Sequence, residues 1–346
     1  MIVRLIASPV FLMRGGAAFA ALLLLAIVLA FAASVGETAI PVKTVMDTIA
    51  NHLWDAGYSV DVIDAGIIWN YRLSRAIVAA SCGAALAVSG AVLQALLRNS
   101  LADPYLLGIS AGASTGAVSV VILGLGAGML SLSLGAFIGA VAAFGFVALL
   151  ALQAGRGTGA IILAGIAGSQ MFNALTSFIV TKSASAEQAR GIMFWLLGNL
   201  SGVRWSDVWL ALPVAVIGLL ICLWHARALD AFTFGRESAA SLGVPVRRVY
   251  AVLIASAAMM TAVMVSIVGS IGFVGLVIPH AARFFVGTRH GLVLPLSALI
   301  GALFLVCADV ISRVIVPGQV LPIGVITALI GAPAFALILC HGRILR

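Results

Sequence analysis

Charge is scarce in this chain, and lysine is almost missing. Only 9% of the 346 residues are charged, and the two lysines are Lys43 and Lys182. A soluble domain carries about 25% charged residues, so an ordinary water-exposed surface is excluded. The lysines exclude something more specific. A phosphate-binding P-loop needs lysine straight after glycine, because glycine amides and the ammonium together cradle the phosphates. Lys43 follows Val42 and Lys182 follows Thr181. Any energy from nucleotide hydrolysis must therefore come from another polypeptide.

Other chemistry is equally thin. The four cysteines, Cys82, Cys222, Cys307 and Cys340, are scattered singly, without metal-ligand spacing. They read as small buried residues rather than disulfides. The apolar stretches hold no paired carboxylates, metal cluster or nucleophile–base arrangement, which argues against an enzyme. An ion-driven secondary transporter keeps acids or histidines inside its spans, and few stand there. Asp309 lies four residues before Arg313, a spacing that pairs the two on one helix face. His225 and His280 fall at predicted inner span ends, and His52, His290 and His341 fall in loops.

What is present is apolar. Hydrophobic residues make up 63% of the chain, and the mean hydropathy is +1.23. Uncharged stretches run over 15–36, 76–97, 104–155, 157–181, 208–226, 249–282, 290–308 and 314–342. A span needs roughly 20 apolar residues. The 104–155 stretch must hold two, split around Gly124–Gly128, and 249–282 holds one and begins another after Gly269–Gly272. The prediction is an all-α integral membrane protein of ten transmembrane helices, forming one domain over 1–346. Arg4 and Arg14 ahead of an Ala/Leu run resemble a signal peptide, but 22 uncharged residues exceed an h-region of about 7–15. An uncleaved first span is expected.

The net charge of +8 follows membrane sidedness rather than nucleic-acid binding. With both termini cytoplasmic and ten alternating spans, Arg98, Arg156, Arg227, Arg236, Arg247, Arg248, Arg283 and Arg289 join the terminal arginines inside. Only Asp103, Asp230 and Glu237 oppose them there. This is the positive-inside bias.

Thirty-seven glycines suit close helix packing, and Gly108, Gly112 and Gly116, then Gly135 and Gly139, repeat at four-residue intervals. Residues 37–71 predict a short amphipathic helix on the outer surface, with Val45, Ile49, Leu53 and Trp54 at helical spacing. Residues 191–203 are apolar but too short to span, and predict a packed interfacial or re-entrant piece. Residues 226–248 form the longest cytoplasmic loop. Within it Gly235 and Gly243 bracket a short helix with Ala239 and Leu242 on one side, suited to docking in a partner's groove.

The most informative segment is Gly269-Ser-Ile-Gly-Phe-Val-Gly-Leu-Val-Ile-Pro-His-Ala-Ala-Arg283. Gly and Pro loosen a membrane helix, and freed backbone groups are tolerated at depth only within protein or beside a cavity. A broken helix followed at once by polar residues marks a transport path.

Several ordered motifs resemble the permease subunits of bacterial iron-chelate and vitamin B12 ABC importers, the FecCD/BtuC-like family. They are Tyr71-Arg-Leu-Ser-Arg75, Gly83 to Gln94, Arg98 to Gly108, Trp195 to Gly202, Gly235 to Val244, Gly269 to Arg283, Ala308-Asp309 with Arg313, and Pro322 to Pro333. Serine stands at Ser100, where the family usually has proline, and at Ser74, where it often does. The resemblance implies a type II ABC importer fold of ten spans and a homodimer with its path on the two-fold axis. It implies two cytoplasmic ATPase subunits carrying ATP and Mg, a periplasmic binding protein, and a bacterial inner-membrane location. The chain itself is then a pore subunit and not an enzyme, with no cofactor, metal site or nucleic-acid partner.

The same resemblance marks Arg72, Arg75 and Arg313 as docking points for acidic residues of the binding protein. It marks Gly235, Glu237, Ala239, Leu242 and Gly243 as the coupling element. Gln170, Met171, Asn173, Thr176 and Ser177 become path-lining candidates, equally readable as interhelical hydrogen-bond partners. Gly272, Pro279 and His280 become gate residues. For the cargo, likeness of the whole sequence to haem permeases puts haem first, ferric siderophore second and cobalamin third.

Overall fold

One helix organises the molecule, and it is the one richest in small residues. In the computed structural model, which describes residues 9–36, 38–125, 130–155, 158–183 and 185–341, the elements follow in this order. They are α1 (Pro9–Ser34), α2 (Val42–Trp54), α3 (Val62–Gly66), a π-helical segment (Ile67–Leu73), α4 (Ser74–Leu96), a 3-10 turn (Pro104–Leu107), α5 (Ile109–Leu123), α6 (Leu132–Ala154), α7 (Thr158–Ser183) and α8 (Ala186–Leu196). There follow α9 (Trp205–Trp224), α10 (Ala226–Phe232), α11 (Arg236–Ser241), α12 (Val246–Val268), α13 (Val274–Val286), α14 (His290–Val314) and α15 (Ile323–His341). Among the described residues there is no strand.

The α4 sequence, mostly Ala, Ser, Gly and Val, lets it sit at the centre, packed against α9, α12, α13 and α14. At Gly83 a methyl group would collide with the backbone carbonyl of Gly301 in α14. At Gly90 it would collide with that of Gly275 in α13. Between lipid-immersed helices there is no hydrophobic drive to associate, so attraction comes from such close backbone approach and from interhelical hydrogen bonds. The spaced glycines of α5 and α6 work in the same way. Gly112 faces the Gly139 carbonyl and Gly116 that of Gly135, so their spacing serves packing within one chain. Helix α7 completes this second bundle against α5 and α6, and α12 joins the two bundles by touching both α4 and α6.

Six helices among the described residues are long and apolar enough to cross a membrane: Val62–Leu96, Leu132–Ala154, Thr158–Lys182, Trp205–Trp224, Val246–Val268 and His290–Val314. Shorter apolar helices run over Ala18–Ser34, Ile109–Leu123, Val274–Val286 and Ile323–Ile338. The split of 104–155 falls after Leu123 as predicted, although residues 126–129, within the expected loop, lie outside the described residues. The α12–α13 break falls at 269–273. Arg4, and the side chain of Arg14, also lie outside them.

The two short outer segments form, with adjustments. Helix α2 buries Val45 and Thr48 but leaves Leu53 and Trp54 exposed, and Asp55, left-handed at φ 48°, ends it. Helix α8 stops at Leu196, and the chain beyond it stays packed through Leu200 and Val203. Of the cysteines, Cys82 and Cys222 are buried as expected, whereas Cys307 and Cys340 are exposed and all four are free thiols.

Candidate transport path and coupling site

The broken segment at 269–273 is held by side chains reaching in from other helices. Helix α13 has 13 residues, a rise of about 20 Å, short of a hydrocarbon core of about 30 Å. The non-helical stretch before it must therefore find its hydrogen bonds within protein. Tyr105, from the 3-10 turn, supplies two at Ile271: its hydroxyl donates to the carbonyl at 2.9 Å and accepts from the N–H at 2.8 Å. The Asn199 N–H donates to the Val268 carbonyl at 2.8 Å, and Ser110 donates to Ser270 at 3.0 Å. Phe273 opens α13 in a left-handed conformation (φ 68°), costly for an L-residue. A methyl group at Gly331 of α15 would lie 2.5 Å from its Cβ, so only glycine leaves room there.

Proline does not break α13. The helix continues through Pro279, which is buried. The missing Pro279 N–H orphans the carbonyl of Gly275, four residues back. Gln94 repairs it: its amide donates to the Gly275 carbonyl at 3.2 Å and to Leu276 at 3.4 Å, while its oxygen accepts from Arg283 at 2.7 Å. Gln94→Leu would strip all three contacts. We expect a loss of about 2–3 kcal/mol from the unsatisfied carbonyl and guanidinium, read as a lower thermal-inactivation midpoint in detergent. His280 bonds its own helix at the Leu276 carbonyl (2.7 Å) and sets its ring edge-on to Phe335. Gly272 faces open space.

On α7 the predicted lining residues separate by face. Gln170, Asn173 and Ser177 lie at i, i+3 and i+7 and are exposed, as is Met171. Thr176 turns the other way. It is buried and shares a 2.8 Å hydrogen bond with Thr115 of α5, so it joins the two helices. Helix α7 is covered over only 22% of its most apolar window. Helix α15 packs on α13 and α14 alone among the stronger contacts.

The three arginines expected to dock a partner are turned inwards within this chain. Arg72, Arg75 and Arg313 are each less than 10% exposed. Arg75 contacts Asp309 Oδ1 through Nε and Nη2, both at 2.7 Å, and reaches Ser201. Arg313 contacts Oδ2 of the same carboxylate at 3.1 Å, the i,i+4 pair read from sequence. The remaining donors find the end of α1. Arg313 donates to the Ala32 and Val35 carbonyls, and Arg72 to those of Ala33, Ser34 and Thr38. Carbonyls in the last turn of a helix have no partner of their own, and positive charge there complements the helix dipole. The arginine cluster thus ties α1, α4 and α14 together. The exposed cations among the other residues assigned to that face are Lys43, Lys182, Arg190 and Arg204, the last lying over the ring of exposed Tyr71.

At the opposite end, residues 226–243 fold as two short helices, not one. Gly235 (φ 109°) and Gly243 (φ 82°) bracket α11 in conformations that glycine adopts without strain. Ala239 is fully buried, which corrects its placement beside Leu242 as an exposed knob. The helix ends at Ser241, so Leu242 swings clear and is 71% exposed. Phe234 (74%), unassigned from sequence, stands exposed at the other end of α11, and Glu237 is exposed on it. Asp230, also unassigned, anchors this element to α14: its carboxylate accepts from the His290 N–H at 2.8 Å and meets the ring Nδ1 at 2.7 Å. In the loop after α4, burial pushes the Asp103 carboxyl up to about 6. Among the described residues no group of His, Cys, Asp and Glu has metal-binding geometry.

A multi-pass helical membrane protein with a satisfied helix break and exposed apolar residues flanking a short loop helix has the features of a transport permease. The chain belongs to the FecCD transport family, whose model matches residues 22–341. It is an ABC importer permease. It is 44% identical over 280 residues to the cobalamin import system permease BtuC of Halobacterium salinarum, covering 79% of this chain and 73% of that one. It is 40% identical over 326 residues to the uncharacterised ABC transporter permease YvrB of Bacillus subtilis, with 91% and 90% covered. With the vitamin B12 permease BtuC of Escherichia coli (strain HS) it shares 39% over 280 residues, 80% and 84% of the two chains. Among solved structures, an inward-facing metal-chelate type ABC transporter superposes with a TM-score of 0.80 at 30% identity, covering 93% and 98%. PsaBC from Streptococcus pneumoniae, at TM-score 0.55 and 22% identity over 77% and 90%, shares the fold alone.

Proposed function

We propose that two copies of this chain enclose the path of an importer that carries a corrinoid of the cobalamin class into the cytoplasm of a bacterium. The observation that carries the path is the exposed stripe of Gln170, Asn173 and Ser177 on an otherwise apolar and poorly covered helix. Polar groups at membrane depth face a bundle interior or a water-filled cavity, and a second copy across a two-fold axis supplies both. The six long and four shorter apolar helices support ten spans, and the distribution of arginine supports cytoplasmic termini. Cytoplasmic ATPase subunits would seat on α10–α11 through Phe234 and Leu242, and a periplasmic binding protein would meet the outer face around Tyr71 and Arg204.

For the cargo, the names of the curated relatives speak for cobalamin and give no support to haem. The metal-chelate neighbour leaves an iron chelate as the second reading. The test is uptake into vesicles holding the chain with its ATPase and binding protein, with cobalamin, haem and a ferric siderophore in competition. Cobalamin should displace the others, and uptake should require ATP. Preference for haem or a siderophore would overturn the cargo reading, and uptake driven by a proton gradient without ATP would overturn the mechanism.

A further inference from the structure

We propose that the cavity between α6, the start of α7 and α12 is a binding site for an anionic phospholipid of the cytoplasmic leaflet. The cavity measures about 940 Å³, at the upper end of the roughly 300–1,000 Å³ that enclose a small ligand. Small side chains create it. Ala148 and Ala151 on α6 and Ala251 and Ala255 on α12 all line it, and their short side chains leave volume that larger residues would fill. Among the described residues almost the whole lining is apolar, its charged groups are Arg236 and Arg247, and no carboxylate lines it.

These polar groups lie at one end. Arg247 is the second residue of α12 and Tyr250 the fifth, while Arg236 opens α11 and holds its guanidinium 4.2 Å from the centre of the Tyr250 ring. On the proposed orientation, on which this inference rests, that end lies at the inner headgroup level. Basic pockets between membrane helices on the cytoplasmic side suit anionic headgroups. One anionic end and a long apolar body is the chemistry of a phospholipid. A corrinoid ring edged with amides would leave its hydrogen-bonding groups facing alanine and valine. Free phosphate would leave the apolar volume empty. A peptide from the ATPase would meet the arginines without entering between α6 and α12. Because Arg236 belongs to α11, a bound headgroup would also brace the coupling element.

The test is native mass spectrometry of the assembled importer after detergent exchange, with phosphatidylglycerol or phosphatidylethanolamine added back. Wild type should retain phosphatidylglycerol selectively. Arg247→Gln, at an exposed position that folding tolerates, should weaken retention about fivefold, the equivalent of about 1 kcal/mol for one basic group near the headgroup. Ala251→Phe should fill the cavity and abolish retention. Equal retention of the two lipids, undiminished retention by both variants, or displacement of the lipid by inorganic phosphate would overturn the site. So would release of the lipid when the ATPase subunits bind. The readout needs no cargo, so a failed uptake assay and a failed lipid assay remain distinguishable.

Discussion

Asp309→Asn is expected to destabilise the protein by about 3–5 kcal/mol, the cost of removing one partner from a buried ion pair. The carboxylate is 1% exposed and faces the side chains of Arg75 and Arg313, which are 11% and 7% exposed. Asparagine keeps the shape and one acceptor oxygen but removes the carboxylate that Arg75 and Arg313 share. Two guanidiniums would then stay buried without a counter-charge, and the attachment of α1 through the Ala32 and Val35 carbonyls would loosen with them. The measurement is thermal inactivation in detergent, with protease accessibility near residue 35 as a local probe. An unchanged midpoint would show that the cluster contributes nothing net. Arg75→Met with Asp309→Leu leaves one buried guanidinium, that of Arg313, without its carboxylate instead of two, so it should be milder than Asp309→Asn alone.

The second large effect is functional. Leu242→Asp should cut ATP-dependent uptake by about 30-fold or more, corresponding to the loss of about 2 kcal/mol or more when a central interface anchor is removed. Expression and thermal midpoint should hold, since Leu242 is 71% exposed in the single chain. Phe234→Ala should act in the same direction. Ala239→Asp offers the contrast: its Cβ sits in fully buried surroundings, so a carboxylate there should lower stability before it affects coupling. Uptake that survives both Leu242→Asp and Phe234→Ala would show that the ATPase seats elsewhere.

The comparison between positions 239 and 242 also shows how far a single sequence carries the reading. Helical spacing placed both residues on one side of a short helix, and the bracketing glycines marked where that helix lies. It did not reveal that the helix ends at Ser241, which rotates Leu242 away from Ala239. The i,i+4 pair of Asp309 and Arg313 was legible because both residues share a helix. Its third member, Arg75, stands 234 positions from Asp309, and no local period reports a contact between helices that meet only in the bundle. The docking role of Arg72 rested on family resemblance, which does not report that the carbonyls at the end of α1 take its donors. Gln94 is a further case. Its need is set by the proline in α13, which orphans a carbonyl that only a neighbouring helix can reach.

The sequence by itself determined the class of protein. Its scarcity of charge points to lipid, neither of its lysines can serve a phosphate-binding P-loop, and its glycines suit helices packed backbone to backbone. These are properties of composition and short-range order, and they need no knowledge of which helix lies beside which. Tertiary structure alone decided the direction of each polar side chain: the arginines inward onto α1, Thr176 onto α5, and Gln170, Asn173 and Ser177 outward from α7. In a chain this apolar nearly every helix face looks alike, and only the packing around α4 distinguishes the face that meets protein from the face that meets lipid, a second copy or cargo.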